Sequence, residues 1–270
     1  LKGFTTPTQL SVKKKATSLT QTDSFSKEEL KLTLDTTAAL QSFAKQHQLT
    51  LNNLVQGAWA LLLSHYSGQE DVVFGAVTSG RPPTLAKAES MVGLFINTVP
   101  IRVQISPEES LLPWLHKIKD QLVEASEYEY CPLVKVQGWS EVPKGFSLFE
   151  SIVVFENYAV DASVRQTDIN LEIQSFCNFE RTNYPITLMV TPGEQLSFTI
   201  ICGDSKRFDS DTITRMLKHL QTLLEGMVKN QQQQLGKLPL LTESEQHQLL
   251  EEWNNTEVEY PLLCIHELFE

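Results

Sequence analysis

Pro100 sits inside the most strand-like run of the chain, residues 91–102, which read MVGLFINTVPIR. Phe95, Asn97, Val99 and Ile101 alternate there with Ile96, Thr98, Pro100 and Arg102, and alternation of period two is the pattern of a β-strand. Proline has no N–H to give to a ladder, so this strand belongs at a sheet edge or carries a bulge. Apolar residues fall on both of its faces, which predicts cover on both sides. Gly93 opens the run as a turn, in a backbone conformation that a residue with a Cβ resists. Asn97 is the exception within it, a poor strand former whose side-chain amide needs partners. Two readings fit Asn97: a buried amide satisfied by backbone, or part of a site.

Around this strand the chain alternates between helix and strand signals. A strand is predicted over 29–35, where Leu30, Leu32 and Leu34 alternate, followed by a short helix capped by Thr36 with Leu40, Phe43 and Ala44 inward. Thr50 caps a stronger helix over 51–66, whose broad apolar face includes Leu54, Val55, Ala58, Trp59, Leu61 and Leu62, and Gly68 stops it. Residues 71–78 form a β-branched strand broken by Gly80-Arg81-Pro82-Pro83. Ser110 opens a helix to about 127 that tolerates Pro113 in its first turn, and Pro132 begins a short helical or turn segment. Strands follow at 149–156 and 169–176. A hairpin pairs 184–191 with 195–202 around Pro192-Gly193-Glu194, and Asp209 or Ser210 caps a helix to about 229. The expected fold class is α/β, a mixed β-sheet flanked by helices.

Charge and composition then exclude several functions. The net charge is −11, but residues 241–270 hold eight Glu and no Asp, Lys or Arg, which leaves −3 for the other 240 residues. No basic footprint for nucleic acid remains. No apolar run approaches a membrane span. Residues 1–21 are polar, carry three consecutive lysines, read as an extended connector and lack the apolar core of a signal peptide. The first residue is not Met, so the chain is expected to be cut from something longer. The four cysteines are too widely spaced for a CxxC metal or redox site, and a reduced, cytoplasmic protein is the simplest reading. There is no Gly-x-Ser-x-Gly, no phosphate-binding loop and no adjacent pair of histidines. His116 and Asp120 share a spacing of four, but on a helix that is an ordinary surface pair.

From Gln231 the character changes: a glutamine run, Gly236 and Pro239 mark a boundary, and Thr242-Glu243-Ser244-Glu245 is a capping box for an acidic helix. Two domains are therefore expected, 1–230 and 231–270.

Val92-Gly93-Leu94-Phe95-Ile96-Asn97-Thr98, with Arg102 behind it, resembles a signature of the condensation domains of non-ribosomal peptide synthetases. Upstream, the strand and loop ending Thr78-Ser79-Gly80-Arg81-Pro82 resemble the family's SGRP loop. Downstream, Tyr128-Glu129-Tyr130-Cys131-Pro132-Leu133 is similar to its HEHxPL segment, with tyrosines where histidines are common. Residues 148–158 and 182–188 also match, and 238–242 with Trp253-Asn254 resemble the linker to an adenylation domain, with 265–270 like that domain's first helix. The resemblance covers essentially the whole chain but only the second half of the family's domain.

That resemblance implies one lobe of the two-lobed fold of chloramphenicol acetyltransferase. It implies a C-terminal lobe at 1–230 and, at 231–270, a linker and first adenylation helix. The reaction it implies is attack by an acceptor aminoacyl thioester's amine on a donor acyl or peptidyl thioester, both on carrier proteins, with formation of an amide. The family's HHxxxDG histidine belongs to the other lobe, so no catalytic residue is expected in this fragment, and alone it is expected to be inactive. Gly80, Arg81, Pro82, Gly93, Asn97, Arg102, Tyr128 and Tyr130 are the positions that the resemblance assigns to the substrate channel and its floor loop. For Arg81 a solvated loop charge, and for Arg102 a salt bridge across the lobe, are the alternative readings. No cofactor or metal is expected on the chain itself; phosphopantetheine arrives on the carriers. The implied partners are the N-terminal lobe, upstream and downstream carrier domains and an adenylation domain, without nucleic acid or membrane. Two alternatives stay open: a docking module without chemistry, and an acyltransferase of the same superfamily.

Overall fold

A computed structural model describes residues 1–10, 26–81, 85–156, 182–203, 207–257 and the single positions 264, 266 and 269. The chain divides into two compact units, Leu1–Leu240 and Leu241–Glu270. The first is built on a six-stranded mixed sheet. Its strands are β1 (Ser26–Lys31), β2 (Asp71–Thr78), β3 (Asn97–Gln104), β4 (Ser151–Phe155), β5 (Ile186–Thr191) and β6 (Ser197–Cys202), in the order β1-β6-β5-β4-β2-β3. β4 runs parallel to both β2 and β5, and the remaining pairs are antiparallel. The expected strand at 169–176 lies outside the described residues.

Among the described residues β3 is an edge strand, as Pro100 requires: β2 alone neighbours it, in a register from Asp71 opposite Gln104 to Thr78 opposite Asn97. Among the described residues its two faces are covered unequally. Val99, Ile101 and Val103 are buried, whereas Thr98, Pro100 and Arg102 stay half-buried. Phe95 and Ile96 precede the strand instead of belonging to it, so the apolar count that argued for two covered faces mixed strand with loop.

The helices are α1 (Leu34–Gln46), α2 (Leu51–Ser67), α3 (Leu111–Ser126), α4 (Leu133–Trp139) and α5 (Ser210–Lys229). α1 begins earlier than expected. The N-cap is Thr33, whose Oγ1 accepts the N–H of Thr36 at 3.1 Å, so Thr36 is a donor in the first turn and not the cap. The strand correspondingly ends at Lys31, and Leu34, read as its last inward residue, is exposed on the helix. Thr50 and Asp209 cap α2 and α5 as their sequences require.

α2 is buried nearly all round, from Asn53 to Leu63, and packs among α1, α3, α5 and the sheet. Its Trp59 indole N–H reaches the Ser151 hydroxyl on β4 at 3.3 Å, which satisfies the one polar atom that so large a buried side chain carries. The opposite face of the sheet holds a smaller cluster of Phe4, Val73, Val142, Leu148, Phe149 and Ile152. Each fully buried side chain of this kind contributes about 1.5–3 kcal/mol by leaving water.

Two segments read as connectors join this body. Phe4 and Leu10 are buried, and Thr8 pairs with Phe149 in a bridge while its hydroxyl accepts the Val73 N–H at 2.8 Å. Residues 1–10 are therefore part of the fold and not an extended connector. At the other end, Leu235 and Leu238 are buried in the main core, and the Leu111 N–H donates to the Gln233 carbonyl at 2.9 Å.

The second unit carries α6 (Glu243–His247), with the capping box of Thr242 and Glu245 formed in both directions. A π-helical turn, Gln248–Glu252, continues it.

Candidate functional site

Three stretches of the chain meet beyond the end of β2: residues 78–81, 85–97 and the sequence-distant 128–131. Gly80 sets their spacing. It has a φ of +61°, and a Cβ on it would lie 1.7 Å from the Phe95 carbonyl oxygen, so no other residue fits without moving one loop off the other. Gly93, the glycine singled out in the sequence, has no such constraint. Its φ is outside the left-handed region, and a Cβ there would meet no atom closer than 3.5 Å. Its neighbours show that this stretch is surface: Val92 is 104% exposed and Leu94 90%.

Arg81 is not a solvated charge. Its guanidinium donates to the carbonyl oxygens of Ala88 and, at 3.1 Å, Met91, and lies 4.3 Å from the centre of the Phe95 ring. Arg81 thus gathers the 88–95 loop under itself, by charge-assisted bonds and a cation–π contact. Pro82 lies outside the described residues.

Asn97 is satisfied by backbone, and by doing so it joins two loops. Its Nδ2 donates to the carbonyl oxygens of Glu129 and Cys131, both at 2.7 Å, while its Oδ1 accepts the Thr98 N–H at 2.9 Å. Tyr128 and Tyr130, on either side of the anchored Glu129, point their rings to solvent and are largely exposed.

Arg102 stands apart from this cluster. Its Nε and Nη2 bond the Asp71 carboxylate at 2.9 and 2.6 Å, and Nη1 donates to the Lys2 carbonyl at 2.6 Å. The Asp71 partnership holds the guanidinium above its ordinary value. Of the two readings open for Arg102, this geometry is that of the salt bridge.

An open cavity of about 660 Å³ lies against these loops, lined by Val77, Thr78, Ser79, Ile96, Glu129 and Phe155 among others. Glu129 went unmarked in the sequence, where it is one charge between two tyrosines. Burial pushes its carboxyl above the ordinary glutamate range, while the Gly80 N–H and the Thr78 hydroxyl pull the other way by bonding its charged form. His116 lies on α3 and does not line the cavity. Among the described residues no cluster of His, Cys, Asp and Glu could hold a metal ion, and no helix is long and apolar enough to cross a membrane.

A mixed six-stranded sheet with helices on it, and a cleft at the end of the parallel strands, defines an α/β protein of the chloramphenicol-acetyltransferase-like class. Solved structures share that fold, two of them as follows. The first condensation domain of the CDA synthetase aligns with a TM-score of 0.62 and 15% identity, over 80% of this chain and 48% of that one. The four-domain non-ribosomal peptide synthetase holo-AB3403 aligns with a TM-score of 0.70 and 17% identity, over 83% of this chain and 18% of that one.

The family model named Condensation domain matches residues 1–250, and the chain belongs to that family. It is 44% identical over 271 residues to one of the linear gramicidin synthase proteins of Brevibacillus parabrevis, matching all of this chain and 4% of that relative's length.

Proposed function

We propose that this chain is the C-terminal lobe of a condensation domain that joins two carrier-bound substrates. The acceptor's α-amine attacks the donor's thioester carbonyl, an amide forms, and the donor carrier's pantetheine thiol leaves. What carries the half-domain reading is coverage: most of this chain aligns with about half of a solved condensation domain, 48% of its length. Two further observations support it. The 91–96 stretch is an apolar surface with Val92 and Leu94 uncovered, as a wall facing a second lobe would be. The sequence has no adjacent histidine pair, so the HHxxxDG histidine must come from that second lobe.

In this reading Gly80, Arg81, Pro82, Gly93, Asn97, Tyr128 and Tyr130 build the floor and one wall of the substrate channel. Among them Gly80, Arg81 and Asn97 act by fixing loops and not by proton transfer. Arg102 braces β2 and β3 behind them. Holding two reactants in register is itself a large part of such catalysis. Phosphopantetheine is brought by carrier domains on either side, and residues 241–270 lead toward an adenylation domain, in a cytoplasmic assembly line.

The test is a condensation assay read by mass spectrometry, with loaded donor and acceptor carriers. Product is expected when this chain is extended upstream by its native partner lobe, and not from this chain alone. Product from this chain alone would overturn the assignment and make His116 the first residue to mutate. No product from either, with loaded carriers, would favour a docking module without chemistry.

A further inference from the structure

Glu129 is the one formally charged side chain on the wall of the 660 Å³ cavity among the described residues. The rest of that wall is apolar, through Val77, Ile96, Val154 and Phe155, or polar and neutral. The Gly80 N–H and the Thr78 hydroxyl are neutral donors that favour its charged form, and Asn97 holds the backbone carbonyl of the same residue at 2.7 Å. Yet among the described residues no cation answers its charge. Arg81, the basic residue of the adjoining loop, is turned to the Ala88 and Met91 carbonyls and the Phe95 ring. A carboxylate has about four acceptor positions, and two donors leave room for more. A half-buried carboxylate with neutral donors alone is under-compensated, and a cation supplies what is missing.

We propose that Glu129 is the recognition carboxylate for a primary ammonium group in this cavity, and that the aliphatic wall beside it accepts the apolar side chain next to that ammonium. Resting on the reading above, this names the acceptor aminoacyl group, bound by its amine before the proton is lost. The start of α2 (Thr50, Leu51, Asn52) also borders the cavity, and a helix start favours an anion. Its cap side chain already takes the Asn53 N–H at 3.1 Å, and the Glu129 charge repels an anion from the opposite wall.

The probes are the pantetheine amides of alanine, valine and leucine, their N-acetylated forms, the des-amino acyl forms, and succinyl-pantetheine, titrated calorimetrically into this chain at neutral pH. At least one free-amine probe is expected to bind about tenfold or more tighter than its N-acetyl and des-amino partners, the usual weight of a hydrogen bond to a charged group. Glu129→Gln is expected to abolish that preference and Glu129→Asp to keep most of it, with melting temperatures checking that both variants fold. Equal binding of the matched probes, a preference that survives in Glu129→Gln, no binding of any free-amine probe, or tighter binding of the succinyl probe would each overturn the proposal. The condensation assay is independent of these titrations. An ammonium preference without condensation in the extended form removes the lobe assignment and leaves the site; condensation without the preference does the reverse.

Discussion

The side-chain amide of Asn97 lies 2.7 Å from the carbonyl oxygen of Glu129, so the first residue of the edge strand β3 holds the turn whose carboxyl faces the cavity. A second bond of the same length, to the Cys131 carbonyl, makes the tie a two-point one. Replacing Asn97 by Ala leaves both carbonyls without their donor. The expected cost is about 1–3 kcal/mol, read from urea unfolding. Asn97→Asp should cost more than Asn97→Ala, because it keeps the acceptor for the Thr98 N–H but turns a carboxylate oxygen toward two carbonyls. The reverse order would mean that the amide contributes little beyond its volume.

Gly80 and Gly93 should respond oppositely to the same methyl group. Gly80→Ala places a Cβ 1.7 Å from the Phe95 carbonyl oxygen at a φ of +61°. The backbone conformation alone costs about 1–3 kcal/mol, and the overlap adds to it by forcing the loops apart. Gly93→Ala meets nothing closer than 3.5 Å and should leave the melting temperature nearly unchanged. Thermal unfolding of the two variants side by side makes the comparison.

Stability near Glu129 should depend on pH with a defined sign. Burial raises the carboxyl above its ordinary value of 4.5, against the weaker pull of the Gly80 N–H and the Thr78 hydroxyl. The folded chain therefore binds this proton more tightly than the unfolded chain. Its contribution is whole below the ordinary glutamate range and is lost as pH rises through the raised folded value. Glu129→Gln cannot lose a proton, so its melting temperature relative to wild type should climb as pH goes from about 4 toward neutrality, then level off. A flat difference across that range would show that the carboxyl is not perturbed in the folded state.

Arg102→Lys should separate shape from charge at the base of β3. A lysine keeps the charge beside Asp71 but loses the paired Nε and Nη2 bonds and the Nη1 bond to the Lys2 carbonyl. With side chains 20% and 36% exposed, solvent screens the pair, and a coupling of about 1 kcal/mol is expected from a double-mutant cycle with Asp71→Asn. Ammonium-probe binding should not change, since neither residue lines the cavity.

What the sequence made legible was local. Pro100 put β3 at an edge because one missing N–H is decisive wherever the strand goes. Thr50, Asp209 and the Thr242–Glu245 box marked helix starts because capping acts over three residues. The failures came where two local signals competed or where the deciding atom was far along the chain. Thr33 and Thr36 are both competent caps, and the buried Leu32, just past the end of β1, places the helix start at Thr33. Gly93 drew attention as part of a motif, while the glycine under constraint was Gly80, because the obstructing carbonyl belongs to Phe95. Glu129 acquires its role from Thr78, Gly80 and Asn97, none of them within thirty residues of it, and no spacing rule connects them.

β2 and β4 hydrogen-bond over a short stretch, Gly75 with Ile152 and Ala76 with Val153. Beside that stretch the Val73 N–H turns to the Thr8 hydroxyl, and Thr8 lies against Phe149. The sheet thus has a seam, and the first ten residues are its stitching. Anyone transplanting this fold into another protein at a junction placed after Leu10 would keep every described strand and helix and still open the fabric along that line.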